Sequence, residues 1–184
     1  MCWQAWESNG MPLSAPYSVW LRPAATDEAA LVQTITRLSA LYGGPLFAPH
    51  ATVQGDLSLP LENLQTLLRP LAQTLPVQRW RVQAVECSPH FFRCIMLRFA
   101  PSDAFTTLQA ATQAESQTEV GLSPFPHLSL AYGDGDPDLT GIRQRLAQEY
   151  VGREIVLDRL SICHSSKTLP IADWRYLADY PLAK

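Results

Sequence analysis

Two short stretches of this sequence set a histidine just after a proline and a hydroxyl residue two positions further on. One is "PHATVQGD", running from Pro49 to Asp56; the other is "PHLSLAYGD", from Pro126 to Asp134. Alternate side chains of a strand share a face, so His50 goes with Thr52 and His127 with Ser129, while Ala51, Val53, Leu128 and Leu130 form the opposite, apolar face. Imidazoles titrate near neutrality and can divide the work of general base and general acid. Hydroxyls can hydrogen-bond the non-bridging oxygens of a phosphate and hold it in line. A lone histidine at a strand start is more often structural than catalytic. Two of them, 127 − 50 = 77 residues apart and each with a matching hydroxyl, favour catalysis. If the two strands lie side by side about a pseudo-twofold axis, the four groups converge on one phosphate. One imidazole then takes a proton from water and the other returns one to the leaving alkoxide, with no metal required.

The elements that must position these residues are legible in outline. "YSVWLRP" is rich in β-formers and stops at proline, which predicts a strand. "TDEAALVQTITRLSALYGG" carries apolar residues at helical spacing, with Thr26 or Asp27 as N-cap and Gly43-Gly44 as the stop. The first histidine strand follows. A helix begins at Pro60 and is expected to break or end near Pro70. "VQRWRVQAVEC", with a bulge, and "RCIMLRFAP" read as strands around a turn, "SPHFF". A helix capped by Ser102 or Asp103 comes next, then a polar loop from Ser116 to Pro126 and the second histidine strand. "DLTGIRQRLAQEYVG" reads as a helix, and "REIVLDRLSICHS" and "DWRYLADYPL" as strands. The order β-α-β-α-β-β-α-β-α-β-β predicts an α+β fold with antiparallel or mixed sheets. It also reads as a duplication: strand, helix, histidine strand, helix, strand, twice over.

Composition narrows the function. The 184 residues fit one domain of two lobes, 1–184, with residues 1–16 as a loose leader carrying Trp3 and Trp6. Lys and Arg total 14 against 17 Asp and Glu, a net charge of −3 without a basic run, which argues against a long nucleic-acid duplex as partner. A small anion needs only a few aimed donors and stays in play. The N-terminus lacks the pattern of a signal peptide, and no apolar run reaches membrane-spanning length. A cytoplasmic monomer is therefore expected, with no membrane partner. Cys2, Cys87, Cys94 and Cys163 form no C-x-x-C pair and are expected to be free thiols. For the same reason a zinc site built from Cys163, His164, Cys87 and Cys94 is disfavoured. Neither G-x-G-x-x-G nor G-x-x-x-x-G-K is present, so no nucleotide cofactor site is indicated.

The paired H-x-[T/S] motifs resemble those of the two-histidine (2H) phosphoesterase superfamily, and within it the cyclic phosphodiesterase branch. The likeness runs over nearly the whole chain: "YSVWLRP" is similar to the first strand, "LYGGPLFAPHATVQG" to the first motif, "FFRCIMLRF" to the middle strand and "FPHLSLAYGD" to the second motif. It implies two lobes of antiparallel sheet with outer helices and a cleft between them. It also implies metal-independent opening of nucleoside 2',3'-cyclic phosphates to 2'-phosphates, or of ADP-ribose 1'',2''-cyclic phosphate to the 1''-phosphate, with no cofactor. By the same likeness His127 is the base toward water and His50 the acid toward the leaving oxygen. Thr52 and Ser129 hold the phosphate, joined by Tyr132, for which packing is an equal alternative. Phe91 and Phe92 could stack a base at the rim or belong to the core. Trp20 and Trp80 read as core, Arg93 and Lys167 as solvated charges, and His90 and His164 as exposed loop residues. Two alternatives accompany this reading: an RNA-end 2'-5' ligase or phosphodiesterase of the same fold, and a nucleotide-binding module without turnover.

Overall fold

A computed structural model of the chain describes residues 14–134 and 139–184. Most of the leader, with Trp3 and Trp6, lies outside the described residues, as does part of the turn after the second motif. The strands are β1 (Tyr17–Pro23), β2 (Ala51–Leu57), β3 (Gln78–Cys87), β4 (Ile95–Phe99), β5 (His127–Ala131), β6 (Glu154–His164) and β7 (Arg175–Pro181). The helices are α1 (Ala25–Tyr42), α2 (Leu61–Thr74), α3 (Asp103–Ser116) and α4 (Thr140–Tyr150). This is the α+β order expected from the sequence.

The strands form one sheet in the order β2-β1-β6-β3-β4-β5, with β7 added to β6, and all named strand pairs are antiparallel. The order is a palindrome. Exchanging β1 with β4, β2 with β5 and β6 with β3 maps the path onto itself, as a duplicated β-α-β-α-β unit requires. β6 joins the halves, giving Glu154–Leu157 to β3 and Leu157–His164 to β1. β7 has no mate.

The helices also exchange. α1 packs on β5 and α3 on β2, so each half covers the histidine strand of the other. The apolar faces they cover hold Ala51, Val53, Leu128 and Leu130, all 0 % exposed. That is the face the alternation predicts.

Some local expectations need correction. α2 runs through Pro70 to Thr74. A proline removes one backbone donor, and here burial of Leu64, Leu68 and Ala72 outweighs that loss. α1 begins after Ala24, with no side-chain cap. Asp27 instead accepts the Val156 amide at 2.9 Å and pairs with Arg153 at 3.5 Å, anchoring the helix to β6. The remaining cues are met: Ser102 accepts the Phe105 amide at 3.1 Å, and Gly43 ends α1 in the left-handed conformation, φ 72°.

The two histidine strands are not sheet neighbours. They are the two ends of the strand order, brought near one another by the curl of the sheet, and the 118–123 loop lies between them. The Gly55 amide donates to Gly121 O at 2.8 Å and the Ser123 amide to Val53 O at 3.2 Å. Gln54, 0 % exposed, donates its side-chain amide to Thr118 O at 3.0 Å and Val120 O at 2.9 Å. Gln109 adds bonds to Val53 O at 3.1 Å and Ser123 O at 2.7 Å. Edge backbone groups of β2 that a neighbouring strand would satisfy are satisfied here by the loop and by Gln109, while Gln54 satisfies carbonyls of the loop in return.

Candidate active site

His50, Thr52, His127, Ser129, Tyr132, Phe91 and Phe92 all line one cavity of about 290 Å³. The residues singled out in the sequence therefore come together in space, although their strands do not pair.

His50 immediately precedes β2 and is buried. Its Nδ1 lies 2.6 Å from Ala48 O, two residues back. A carbonyl only accepts, so Nδ1 carries the hydrogen, and Nε2 is the nitrogen left for a substrate. The ring lies flat on Trp20, centroids 3.6 Å apart and planes 9° apart. Burial pulls its pKa down to about 3, and the His127 charge pushes the same way.

His127 repeats the arrangement as the first residue of β5. Its Nδ1 lies 3.0 Å from Phe125 O, again two residues back, and 3.2 Å from the Ser123 hydroxyl, which itself donates to Phe125 O at 3.0 Å. Nε2 is again the free nitrogen. Burial lowers its pKa to about 4, with Arg93 and Arg98 adding to the effect. Arg98 lies 3.4 Å above the Phe125 ring, whose centroid is 5.3 Å from that of His127.

The hydroxyls differ. Ser129 donates its proton to Phe92 O at 2.8 Å. Thr52 sits opposite Trp20 in the β1–β2 register. Tyr132, just beyond β5, is buried, stacks on Phe47 at 3.7 Å and bonds Ser129; burial holds its phenol well above the usual range.

Several lining residues went unrecognised in the sequence. Trp20 is buried, as a core residue should be, yet it faces the cavity and stacks on His50. Its signal was available in the alternation of β1, which puts Trp20 on one face with the polar Ser18 and Arg22. Trp80 is core as expected, against Phe99 and Phe105. Arg93 and Lys167 line the cavity, where solvated surface charges were expected. Lys167 is held there by Asp56, which accepts its backbone amide at 3.1 Å. His90 is exposed but sits at the cavity mouth, and His164 is a half-buried end of β6, edge-on to Tyr17. Ser18, Ser165, Ser166 and Trp174 also line it, the last three reaching it from the segment between β6 and β7. No local pattern marks that segment, because only the curl of the sheet brings it to the site. Cys87 and Cys163 are free thiols. Among the described residues no group of three or more His, Cys, Asp or Glu side chains is placed to hold a metal ion.

Solved structures share this architecture over almost its full length. The crystal structure of TT0787 of Thermus thermophilus matches with a TM-score of 0.59 at 16 % identity, covering 90 % of this chain and 97 % of that one. Escherichia coli LigT complexed with 3'-AMP matches with a TM-score of 0.58 at 12 % identity, covering 91 % and 98 %. The fold is that of the two-histidine phosphoesterases. In sequence, the chain is 26 % identical over 157 residues to the cyclic phosphodiesterase of Arabidopsis thaliana, a match that spans 80 % of this chain and 83 % of that protein. Residues 16–158 match the model of the family described as cyclic phosphodiesterase-like protein, and the chain belongs to that family. It is a phosphodiesterase.

Proposed function

We propose that this phosphodiesterase hydrolyses a small cyclic phosphate, a nucleoside 2',3'-cyclic phosphate or ADP-ribose 1'',2''-cyclic phosphate, without a metal. The observation that carries the reading is the matched presentation of two imidazoles to one cavity, each with Nδ1 committed to the carbonyl two residues behind it. His127 Nε2 takes a proton from water as the water oxygen bonds to phosphorus. The opposite P–O bond of the ring breaks, and His50 Nε2–H protonates the leaving alkoxide. Thr52 and Ser129 bind the non-bridging oxygens. In the free protein burial keeps both rings neutral at pH 7, so the proton on His50 is stabilised by the anionic substrate itself. A cavity of about 290 Å³ lies at the small end of ligand sites, roughly 300–1,000 Å³, which favours a mononucleotide-sized substrate over a long RNA end.

A panel of 2',3'-cyclic nucleotides, ADP-ribose 1'',2''-cyclic phosphate and 2'-5' oligonucleotides tests the reading, with product regiochemistry read by phosphorus NMR. Turnover of the cyclic phosphates that survives EDTA, and falls by about 10²-fold or more in His50→Ala and in His127→Ala, is expected. Preference for the oligonucleotide would favour the RNA-end reading, and micromolar binding without turnover a sensing role. Full activity in either histidine variant would falsify the mechanism.

A further inference from the structure

The two histidines are alike in their hydrogen bonds and unlike in what their ring faces meet. His50 lies flat on the indole of Trp20, with 3.6 Å between centroids and 9° between planes. The ring beside His127 is Phe125, met at 5.3 Å and 61°. The Phe125 face already carries the Arg98 guanidinium at 3.4 Å, with that of Arg93 at 5.6 Å. Trp20 is itself held in place. It lies within β1, paired with β2 on one side and β6 on the other. Trp174 stands at 60° and 5.7 Å to it, and Tyr176 at 89° and 6.0 Å.

We propose that Trp20 is the positioning residue that makes His50 the proton-bearing member of the pair: its π face stabilises the imidazolium and fixes the plane from which Nε2–H reaches the leaving oxygen. A cation within about 6 Å of an indole centroid is attracted by the negative face of the ring, most strongly where water is excluded. A neutral imidazole gains less, so the stack favours the charged form. It acts against burial. His50 is 6 % exposed and His127 half-buried, so burial favours the proton on the wrong ring, drawing the two pKa values down to about 3 and about 4. Arg93 and Arg98 act in the same sense as Trp20, because they repel a charge on His127.

The other groups around His50 do not supply that preference. Arg22, two residues along β1, opposes a charge on His50 and is itself paired with Glu28 at 2.6 Å and Asp179 at 3.2 Å. A charge on His127 opposes it too. Tyr176 of β7 and Cys163 of β6 belong to the same cluster as Trp20, and burial raises the pKa of both, which keeps them neutral. Phe47 and Trp174 meet the His50 ring at 79° and 69°, so among the described residues Trp20 is the ring that lies parallel to it. Ala48 O holds the Nδ1 edge at 2.6 Å and the stack holds the plane. The imidazole is therefore kept from turning, and Nε2 has one direction.

This inference rests on the acid–base reading of the pair given above, and the test separates the two. The His50 and His127 pKa values are measured by NMR on isotopically labelled histidine, in the free protein and with inorganic phosphate. The unaltered protein, Trp20→Leu and the conservative Trp20→Phe are compared, with thermal unfolding confirming the fold. The attraction of a cation to an indole face corresponds to about 0.4–1.5 in pKa, so His50 should fall by that much relative to His127 in Trp20→Leu and recover in Trp20→Phe. Protein made with 5-fluorotryptophan keeps the shape of the indole and weakens its negative face. It should show a smaller fall in the same direction, whether or not the leucine variant folds. With adenosine 2',3'-cyclic phosphate, kcat of Trp20→Leu should drop about three- to thirtyfold with KM little changed. A His50 pKa that stays or rises in folded Trp20→Leu, or does not move in the fluorinated protein, overturns the role of Trp20 and leaves the phosphodiesterase reading intact. Failure of the unaltered protein to turn over the cyclic phosphate overturns the substrate reading, and the titration still decides the role of Trp20.

Discussion

Gly121 is where the two ends of the sheet are fastened. Its φ is +78°, and a Cβ built there would lie 1.8 Å from Gly55 O and 2.5 Å from Gly55 C. Both are backbone atoms, which no rotamer change can remove. Gly121→Ala must therefore separate the 118–123 loop from β2. The backbone strain costs about 1–2 kcal/mol. Losing the Gly55–Gly121 and Ser123–Val53 hydrogen bonds costs roughly 1 kcal/mol each. The sum is about 3 kcal/mol, or a Tm decrease of roughly 6–12 °C for a chain of this size. Gly43→Ala is the control. Gly43 has a similar φ of +72° but nothing within 4 Å of its added Cβ, so only the strain remains, about 1 kcal/mol or roughly 2–4 °C. Activity should separate the two variants as well. Ser123 contacts the ring of His127, and displacing it loosens that imidazole, whereas a methyl group added at Gly43 meets nothing within 4 Å. The assay is thermal unfolding by calorimetry, with steady-state turnover of a 2',3'-cyclic nucleotide. Equal Tm losses in the two variants would refute the claim that the loop seals the sheet by close backbone contact.

Burial sets a pH signature. The proposed reaction needs His50 charged and His127 neutral, while the free protein holds them at about 3 and about 4. kcat/KM, which reports the free protein, should therefore decline with rising pH across the neutral range. The bound anion raises both pKa values, so the kcat optimum should lie at higher pH; coincident optima would count against it. The same burial makes the fold acid-sensitive. Each imidazole binds its proton less readily folded than unfolded, so the stability present above about pH 6.5 is lost as pH falls through the folded values. Urea unfolding between pH 7 and pH 4 should show that loss, and a His50→Ala, His127→Ala double variant a shallower one. Thr52→Val keeps the volume and removes a hydroxyl. A hydrogen bond to a charged phosphate contributes about 1.5–3 kcal/mol, so kcat/KM should fall roughly 10- to 100-fold with Tm little changed, and unchanged kinetics would remove Thr52 from the site.

How much of this was legible follows from the range of each signal. The strand alternation of His50-Ala51-Thr52 and His127-Leu128-Ser129 is local; it points to the proposed chemistry, and the buried face it predicts is the one observed. Caps at Ser102 and Gly43 are equally local. The persistence of α2 beyond Pro70 was not, because the burial that overrides the proline comes from tertiary packing. Nor was the placement of the motif strands at opposite ends of the sheet. That depends on β6 running between β1 and β3, a contact between distant parts of the chain. Arg93, Lys167 and Trp174 were misjudged or passed over for the same reason: each sits in a connection whose destination is set by the curl.

The exchange of helices between the halves makes each half depend on the other. Since α1 shields β5 and α3 shields β2, a peptide with a single β-α-β-α-β unit would leave the back of its own motif strand bare. A second copy, docked in the antiparallel manner of the palindrome, would cover it and supply the other imidazole. Two such units would make a symmetric pair with one cavity on its axis, which is the relation the two halves of this chain keep. Within one polypeptide the two sides need not match, and β7 with Trp174, present once only, is where the symmetry is broken most visibly.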